Sequence, residues 1–227
     1  MALECPEEPF VNASTQSSRI TGQAGDIEIA VDRPDTSATS SAGPRGVVVI
    51  AHPHPLFGGT LDNKVVQTLA RAFVQSGWTA VRFNFRGVGD SAGAHDEGRG
   101  ELEDLLAVVE HASPQAAGGA LALAGFSFGA FVTTHAHARL APTRPIDKLV
   151  LVGTSVSRSP AAPVDAAAHV RTLVIHGEQD DTVLLADVMD WARPQALPVT
   201  VVPGGGHFFH GQLPLLKGLV IRHLMSA

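Results

Sequence analysis

Two stretches of this chain hold a serine between glycines at the same spacing: Gly89-Asp90-Ser91-Ala92-Gly93 and Gly125-Phe126-Ser127-Phe128-Gly129. A serine hydroxyl is a poor nucleophile at neutral pH until a neighbouring base accepts its proton. It gains reach when a sharp turn between a strand and a helix lifts its oxygen clear of a sheet. Ser127 has that context: Leu121-Ala122-Leu123-Ala124 reads as the strand, and Phe128 to Leu140 is a good helix former. Ser91 lacks it, because Ala94-His95-Asp96-Glu97-Gly98 carries no helical stripe and reads as a loop. Ser127 is therefore the expected nucleophile. The plainer alternative is a helix N-cap serine.

Histidine suits the role of base, since its unperturbed pKa of about 6.5 lies near working pH. Of the eleven histidines, His207 stands out. It follows Gly204-Gly205-Gly206, directly after a predicted strand at Val199 to Val202. That puts it at the C-terminal edge of the sheet, where ligands bind in open α/β folds. His210 is the fallback. A carboxylate must then fix the tautomer of the base and stabilise its imidazolium. Gly177-Glu178-Gln179-Asp180-Asp181 follows the predicted strand Thr172 to His176, and Asp180 is the choice, with Asp181 next. The three types arrive on separate strand ends in the order Ser127, Asp180, His207.

These strand ends imply a scaffold. Gly46-Val47-Val48-Val49-Ile50-Ala51 is a short continuous apolar run, as expected of a strand covered on both faces. The pattern predicts helices at about 61–76, 99–112, 127–139, 183–192 and 213–225. Strands are predicted at Trp78 to Phe83, Ala120 to Gly125, Asp147 to Val152, Arg171 to His176 and Val199 to Val202. Such alternation implies parallel βαβ units in one open, doubly wound sheet. Ahead of it, residues 1–18 read as an irregular lead-in, Asp26 to Val31 as a half-buried strand, and Pro34 to Arg45 as a loop. Residues 19–227 make a single domain. The segment 153–170 is too short for a lid, so a site beside it is expected to be open to solvent.

With these motifs in hand, the chain resembles a small, lidless bacterial α/β-hydrolase of the serine esterase, dienelactone-hydrolase-like kind. The likeness runs from about Gly46 to the C-terminus. It is carried by His52-Pro53-His54-Pro55-Leu56-Phe57-Gly58-Gly59, Phe83-Asn84-Phe85-Arg86-Gly87-Val88-Gly89, the Ser127 segment, His176-Gly177-Glu178-Gln179-Asp180 and Gly206-His207-Phe208-Phe209-His210. The resemblance implies hydrolysis of carboxylic esters or thioesters without metal or cofactor. It also marks a departure, since the usual His-Gly is here His52-Pro53.

Attack by Ser127 creates an oxyanion that needs two preorganised N–H donors. Phe128, next after the nucleophile at the helix start, supplies one. The second belongs to the loop after Ala51. Pro53 and Pro55 have no N–H, which leaves His54, Leu56 and Phe57, with Leu56 preferred. Phe57, Phe128 and Phe208 flank the expected site as a possible apolar pocket.

Other signals carry less. On a helix His135 and His137 point about 200° apart and cannot share one ion, and His52-x-His54 lacks a third ligand. Arg86-Gly87-Val88-Gly89 lacks the Lys-Ser/Thr ending of a phosphate loop. The formal net charge of −6, without a Lys/Arg cluster, argues against nucleic acid and acidic membranes as partners. Hydrophobic residues at 44% and charged ones at 17% suit a well-filled core. Cys5 is the single cysteine, and the acidic start does not look like a signal peptide. A cytoplasmic hydrolase of small esters, through an acyl-enzyme on Ser127, is the expectation. A thioesterase, peptidase or polyester-oligomer hydrolase with the same triad, or a non-catalytic ligand-binding protein, are the alternatives.

Overall fold

The computed structural model describes residues 15–34, 44–113, 119–157 and 160–226. Cys5, most of the N-terminal lead-in and most of the Pro34 to Arg45 loop lie outside them. Eight strands form one sheet in the order β1-β2-β4-β3-β5-β6-β7-β8. They are β1 (Gln16–Gly22), β2 (Gly25–Asp32), β3 (Gly46–Ala51), β4 (Thr79–Phe83), β5 (Ala120–Phe126), β6 (Lys148–Val152), β7 (Thr172–Gly177) and β8 (Val199–Val202). From β4 onward across the sheet every pairing is parallel, and only β2 runs against its neighbours.

The beginning of the chain differs from the sequence reading. Residues 16–18 are not irregular but open β1, which pairs antiparallel with β2 through a two-residue turn at Gln23-Ala24. β1 presents a run of exposed polar side chains and one buried residue, Ile20, so its sequence carries little of the apolar signal that marks a strand. The pairing with β2 makes it a strand.

The parallel centre follows from composition. All six residues of β3 are buried, because α-helices cover both faces of the sheet. α1 (Lys64–Gln75) and α5 (Leu213–Met225) pack together on one face. Val65, Leu69 and Phe73 of α1 join Val48 and Ile50 of β3 and Val150 of β6 there. α2 (Arg99–Ala112), α3 (Phe128–Leu140) and α4 (Leu185–Ala192) cover the other, where Leu105, Val108 and Val132 meet Val47, Val49 and Leu123. Alternate residues of one strand thus feed two separate cores. At the N-terminal edge the buried Arg82 of β4 donates from Nε to Asp32 of β2 at 3.0 Å and from Nη1 to Asp62 at 3.0 Å. Among the described residues, the segment 153–170 carries only a short 3-10 turn beginning at Ala166, and no domain is inserted over the sheet edge.

Candidate active site

β5 ends at Phe126 and α3 begins at Phe128, so Ser127 alone makes the turn between them. Its backbone sits at φ 56°, ψ −118°, a conformation that side-chain-bearing residues rarely adopt and that persists only when the surroundings enforce it. They do so through two hydrogen bonds: Ser127 N–H donates to Val152 at 2.8 Å, and Ser155 N–H donates to the Ser127 carbonyl at 3.2 Å. The flanking glycines are needed for space. A Cβ on Gly125 would lie 2.5 Å from the Gly129 carbonyl, and one on Gly129 would lie 2.4 Å from the carbonyls of Ala51 and His52. The helix start is thereby pressed against the end of β3.

The structure brings Ser127, His207 and Asp180 together, from the ends of β5, β8 and β7. His207 Nδ1 is 2.7 Å from Asp180 Oδ2, and its Nε2 is 2.9 Å from Ser127 Oγ. With Nδ1–H donating to the carboxylate, Nε2 is left to accept the Ser127 hydroxyl proton. Asp180 Oδ1 accepts the N–H groups of Thr182 at 3.0 Å and Val183 at 2.8 Å. Burial pushes this carboxyl up, but the hydrogen bonds from His207 and the Val183 N–H outweigh it and hold it below the ordinary range. All three side chains are buried, at 4–7% exposure, so their mutual bonds are poorly screened by water. Phe126 packs against the His207 ring at 4.9 Å. The fallback residues take no part: His210 and Asp181 are both exposed.

His176, at the end of β7, was not singled out by sequence reasoning. It is fully buried, donates Nε2–H to the Val183 carbonyl at 2.9 Å, and lies 3.5 Å from Asp180 Oδ2. It holds from behind the loop that carries Asp180. Burial lowers its pKa and keeps it neutral.

On the other side of Ser127, Phe128 occupies the first position of α3, where a backbone N–H has no carbonyl within the helix to bond. The loop after β3 bears on the second donor. Pro55–Phe57 winds into a 3-10 turn, in which Leu56 N–H donates to His54 Nδ1 at 3.3 Å and Phe57 N–H to the His54 carbonyl at 3.1 Å. The Leu56 amide is therefore turned toward His54, while Leu56 itself lines the cavity beside the Ser127 turn. His52 is an internal staple, not half of a metal pair. Its Nδ1–H donates to the Pro53 carbonyl at 2.6 Å and its Nε2 accepts Phe85 N–H at 3.0 Å. Burial lowers its pKa to about 4.

A cavity of about 640 Å³ opens beside the Ser127 turn, lined by His54, Phe57, His95, Phe128, Phe131 and Ser155 among others. Phe57 lines it as expected, but Phe208 does not. Phe208 packs on Phe126 and His207 at 5.8 and 5.0 Å instead, because the backbone turn at Phe209 (φ 52°) buries the ring of Phe209 and leaves Phe208 half-exposed. His95 and Ser155 sit in segments without periodic patterning, so nothing in the sequence marked them as neighbours of Ser127.

Residues 42–179 match the Hydrolase_4 family, described as Serine aminopeptidase, S33. The chain is 35% identical to a Xanthomonas campestris protein described as an α/β serine hydrolase without lid, with a TM-score of 0.83 over 94% of each chain. It is 36% identical to an α/β serine hydrolase homologue of Coxiella burnetii, with a TM-score of 0.77 over 92% of this chain and 97% of that one. An uncharacterised protein of Rickettsia prowazekii is 30% identical over 185 residues, 76% of this chain and 74% of the relative.

Proposed function

From the premise that this chain belongs to the Hydrolase_4 family (Serine aminopeptidase, S33) and is an α/β serine hydrolase, we propose that it cleaves small carboxylic esters through an acyl-enzyme on Ser127. The observation that carries this reading is the Ser127 Oγ to His207 Nε2 bond of 2.9 Å, made by a serine held at φ 56°. His207 takes the Ser127 proton as Oγ attacks the ester carbonyl, and Asp180 stabilises the imidazolium. Collapse of the tetrahedral intermediate breaks the carbon–oxygen bond, and His207 returns the proton to the departing alcohol. A water, deprotonated by His207 in turn, then releases the acid and restores the Ser127 hydroxyl.

We assign one oxyanion donor to Phe128 N–H and the second to His54 N–H, which follows the end of β3 against which the start of α3 is pressed. A structure of the adduct with a fluorophosphonate tests this: the phosphoryl oxygen should lie within hydrogen-bonding distance of both. A rearranged 3-10 turn presenting Leu56 instead would overturn it. Ester preference is supported by the cavity of about 640 Å³, a volume that suits a small substrate, and by its aromatic walls. Turnover of p-nitrophenyl acetate or butyrate, with Ser127 labelled by a fluorophosphonate, is the direct test. Absence of both sinks the proposal.

A peptidase reading comes second, favoured by the family's description and by Glu97 on the cavity rim, where it could meet an α-amino group. Arg99 already lies 3.4 Å from that carboxylate. Faster release of p-nitroaniline from aminoacyl anilides than of p-nitrophenol from matched esters would favour the peptidase.

A further inference from the structure

A second histidine–carboxylate pair stands beside Ser127, on the wall of the same cavity. His95 Nδ1 is 2.7 Å from Glu101 Oε1, the same separation as in the His207–Asp180 pair. Glu101 lies in the first turn of α2 and is fully buried; it also accepts Asp96 N–H at 2.9 Å and Gly98 N–H at 2.8 Å. A carboxylate so supplied with donors is fixed, and it fixes the imidazole in turn, with the proton on Nδ1. The ring is clamped further by Phe128 at 5.5 Å and His54 at 4.7 Å between centroids. What is left is Nε2, on the far side of the ring from Glu101, in a side chain only 13% exposed and lining the cavity. Among the described residues it has no hydrogen-bond partner.

We infer that His95 is a specificity-determining residue, whose Nε2 binds a hydroxyl group carried on the part of the ester that fills the cavity. A preorganised polar atom set among the rings of Phe57, Phe128 and Phe131 is what selects one ligand orientation and one functional group. The class of that group follows from the charges around it. Arg99, the one cation among the lining residues named, is 2.8 Å from Asp96 and 3.4 Å from Glu97. With Glu97 on the rim and Glu101 behind His95, the wall repels a carboxylate or phosphate. A hydroxyl is neutral, and it can donate to a neutral imidazole or accept from a protonated one. Phe57, Phe128 and Phe131 offer apolar faces to the rest of the group, which suits an aryl or short alkyl body.

The inference rests on the hydrolase reading of Ser127, and the test separates the two. The substrates are methyl 3-phenylpropanoate and its 3-hydroxyphenyl and 4-hydroxyphenyl counterparts, with kcat/KM measured for each. Wild type should prefer one hydroxylated ester by about tenfold, the worth of one partly exposed hydrogen bond. His95→Phe should bring that ratio to within about twofold of unity, and His95→Gln, which keeps a polar side-chain terminus, should fall between. If His95→Phe does not fold, the His95→Gln ratio decides, because a wild-type ratio there overturns the inference. Equal rates for all three esters in wild type, with Ser127 still labelled by a fluorophosphonate, would overturn the role of His95 and leave the hydrolase reading intact. No labelling and no turnover would sink the hydrolase reading itself.

Discussion

The two glycine-bracketed serines have the same local spacing and opposite fates. Ser127 stands at a strand end, strained to φ 56°, with its hydroxyl directed at His207. Ser91 stands in the loop after β4, and its hydroxyl is fully used: it donates to the Asn84 carbonyl at 2.7 Å and accepts Glu28 N–H at 2.9 Å. In the first case the glycines let α3 sit against β3. In the second, Gly89 and Gly93 take positive φ so that a loop can close on β2. The difference teaches that a motif of five residues specifies a tight turn, while the elements entering and leaving it decide whether the hydroxyl has a base or a structural bond. His52 joins the two regions, since its carbonyl lies against Gly129 and its Nε2 holds Phe85, just before the Ser91 loop.

This contrast is open to direct attack. Ser127→Ala should cost at least about 10⁴-fold in kcat toward p-nitrophenyl butyrate, by analogy with the loss of a nucleophile in other serine triads. Its thermal midpoint should be equal to wild type or higher, because a strained position then loses nothing that stability needs. Residual turnover within tenfold of wild type would move the nucleophile elsewhere.

Asp180→Asn should lower kcat by about 10³- to 10⁴-fold, since an amide no longer fixes the Nδ1–H tautomer of His207. A pH–rate profile for this variant should recover activity at alkaline pH, where the base needs no help to be neutral. A variant with wild-type kcat at neutral pH would remove Asp180 from the triad.

Ser91→Ala should behave in the opposite way. It strands the buried Asn84 carbonyl and the partly buried Glu28 N–H, at a cost of about 2 kcal/mol in unfolding free energy. Its kcat per folded molecule should match wild type, because Ser91 touches none of the triad. Urea denaturation and active-site titration together check both halves. A loss of kcat without loss of stability would reverse the assignment of the two serines.

The smallest effect concerns the staple between the regions. The folded-state pKa of His52 is depressed to about 4 against an ordinary value near 6.5, so the unfolded chain binds its proton first as pH falls. The stability this contributes is complete above about pH 6.5 and is lost progressively down to about pH 4. Between pH 7 and 5 the loss from His52 alone should be on the order of 2 kcal/mol. His52→Gln should show a shallower pH dependence of the urea midpoint over that window. An identical slope would remove His52 as the source.

Much of the scaffold could be read from the chain because buried parallel strands are written as unbroken apolar runs. β3 and β8 have the predicted bounds, and α2 and α5 likewise. β1 was missed altogether because an edge strand with polar side chains has no such signature. Ser127, Asp180 and His207 were legible because each follows a strand, and parallel topology sends every such end to one edge of the sheet. The choice among His54, Leu56 and Phe57 was not legible because it depends on how a short turn closes, and here it closes onto His54. That Phe208 lies against His207 and not in the cavity was not legible, because one backbone turn at Phe209 exchanges which of two neighbouring rings is buried.

By itself, then, the sequence determined the layers, the order of the central elements and the three side chains delivered to one edge, all of which depend on local pattern and chain direction. The tertiary structure alone decided which serine has a base within 2.9 Å, that His176 holds the Asp180 loop, and that His95 and Glu101 stand on the wall of the cavity. Those are contacts between residues distant in the chain or in unpatterned loops, and no periodicity encodes a meeting that only the packing of the whole domain brings about.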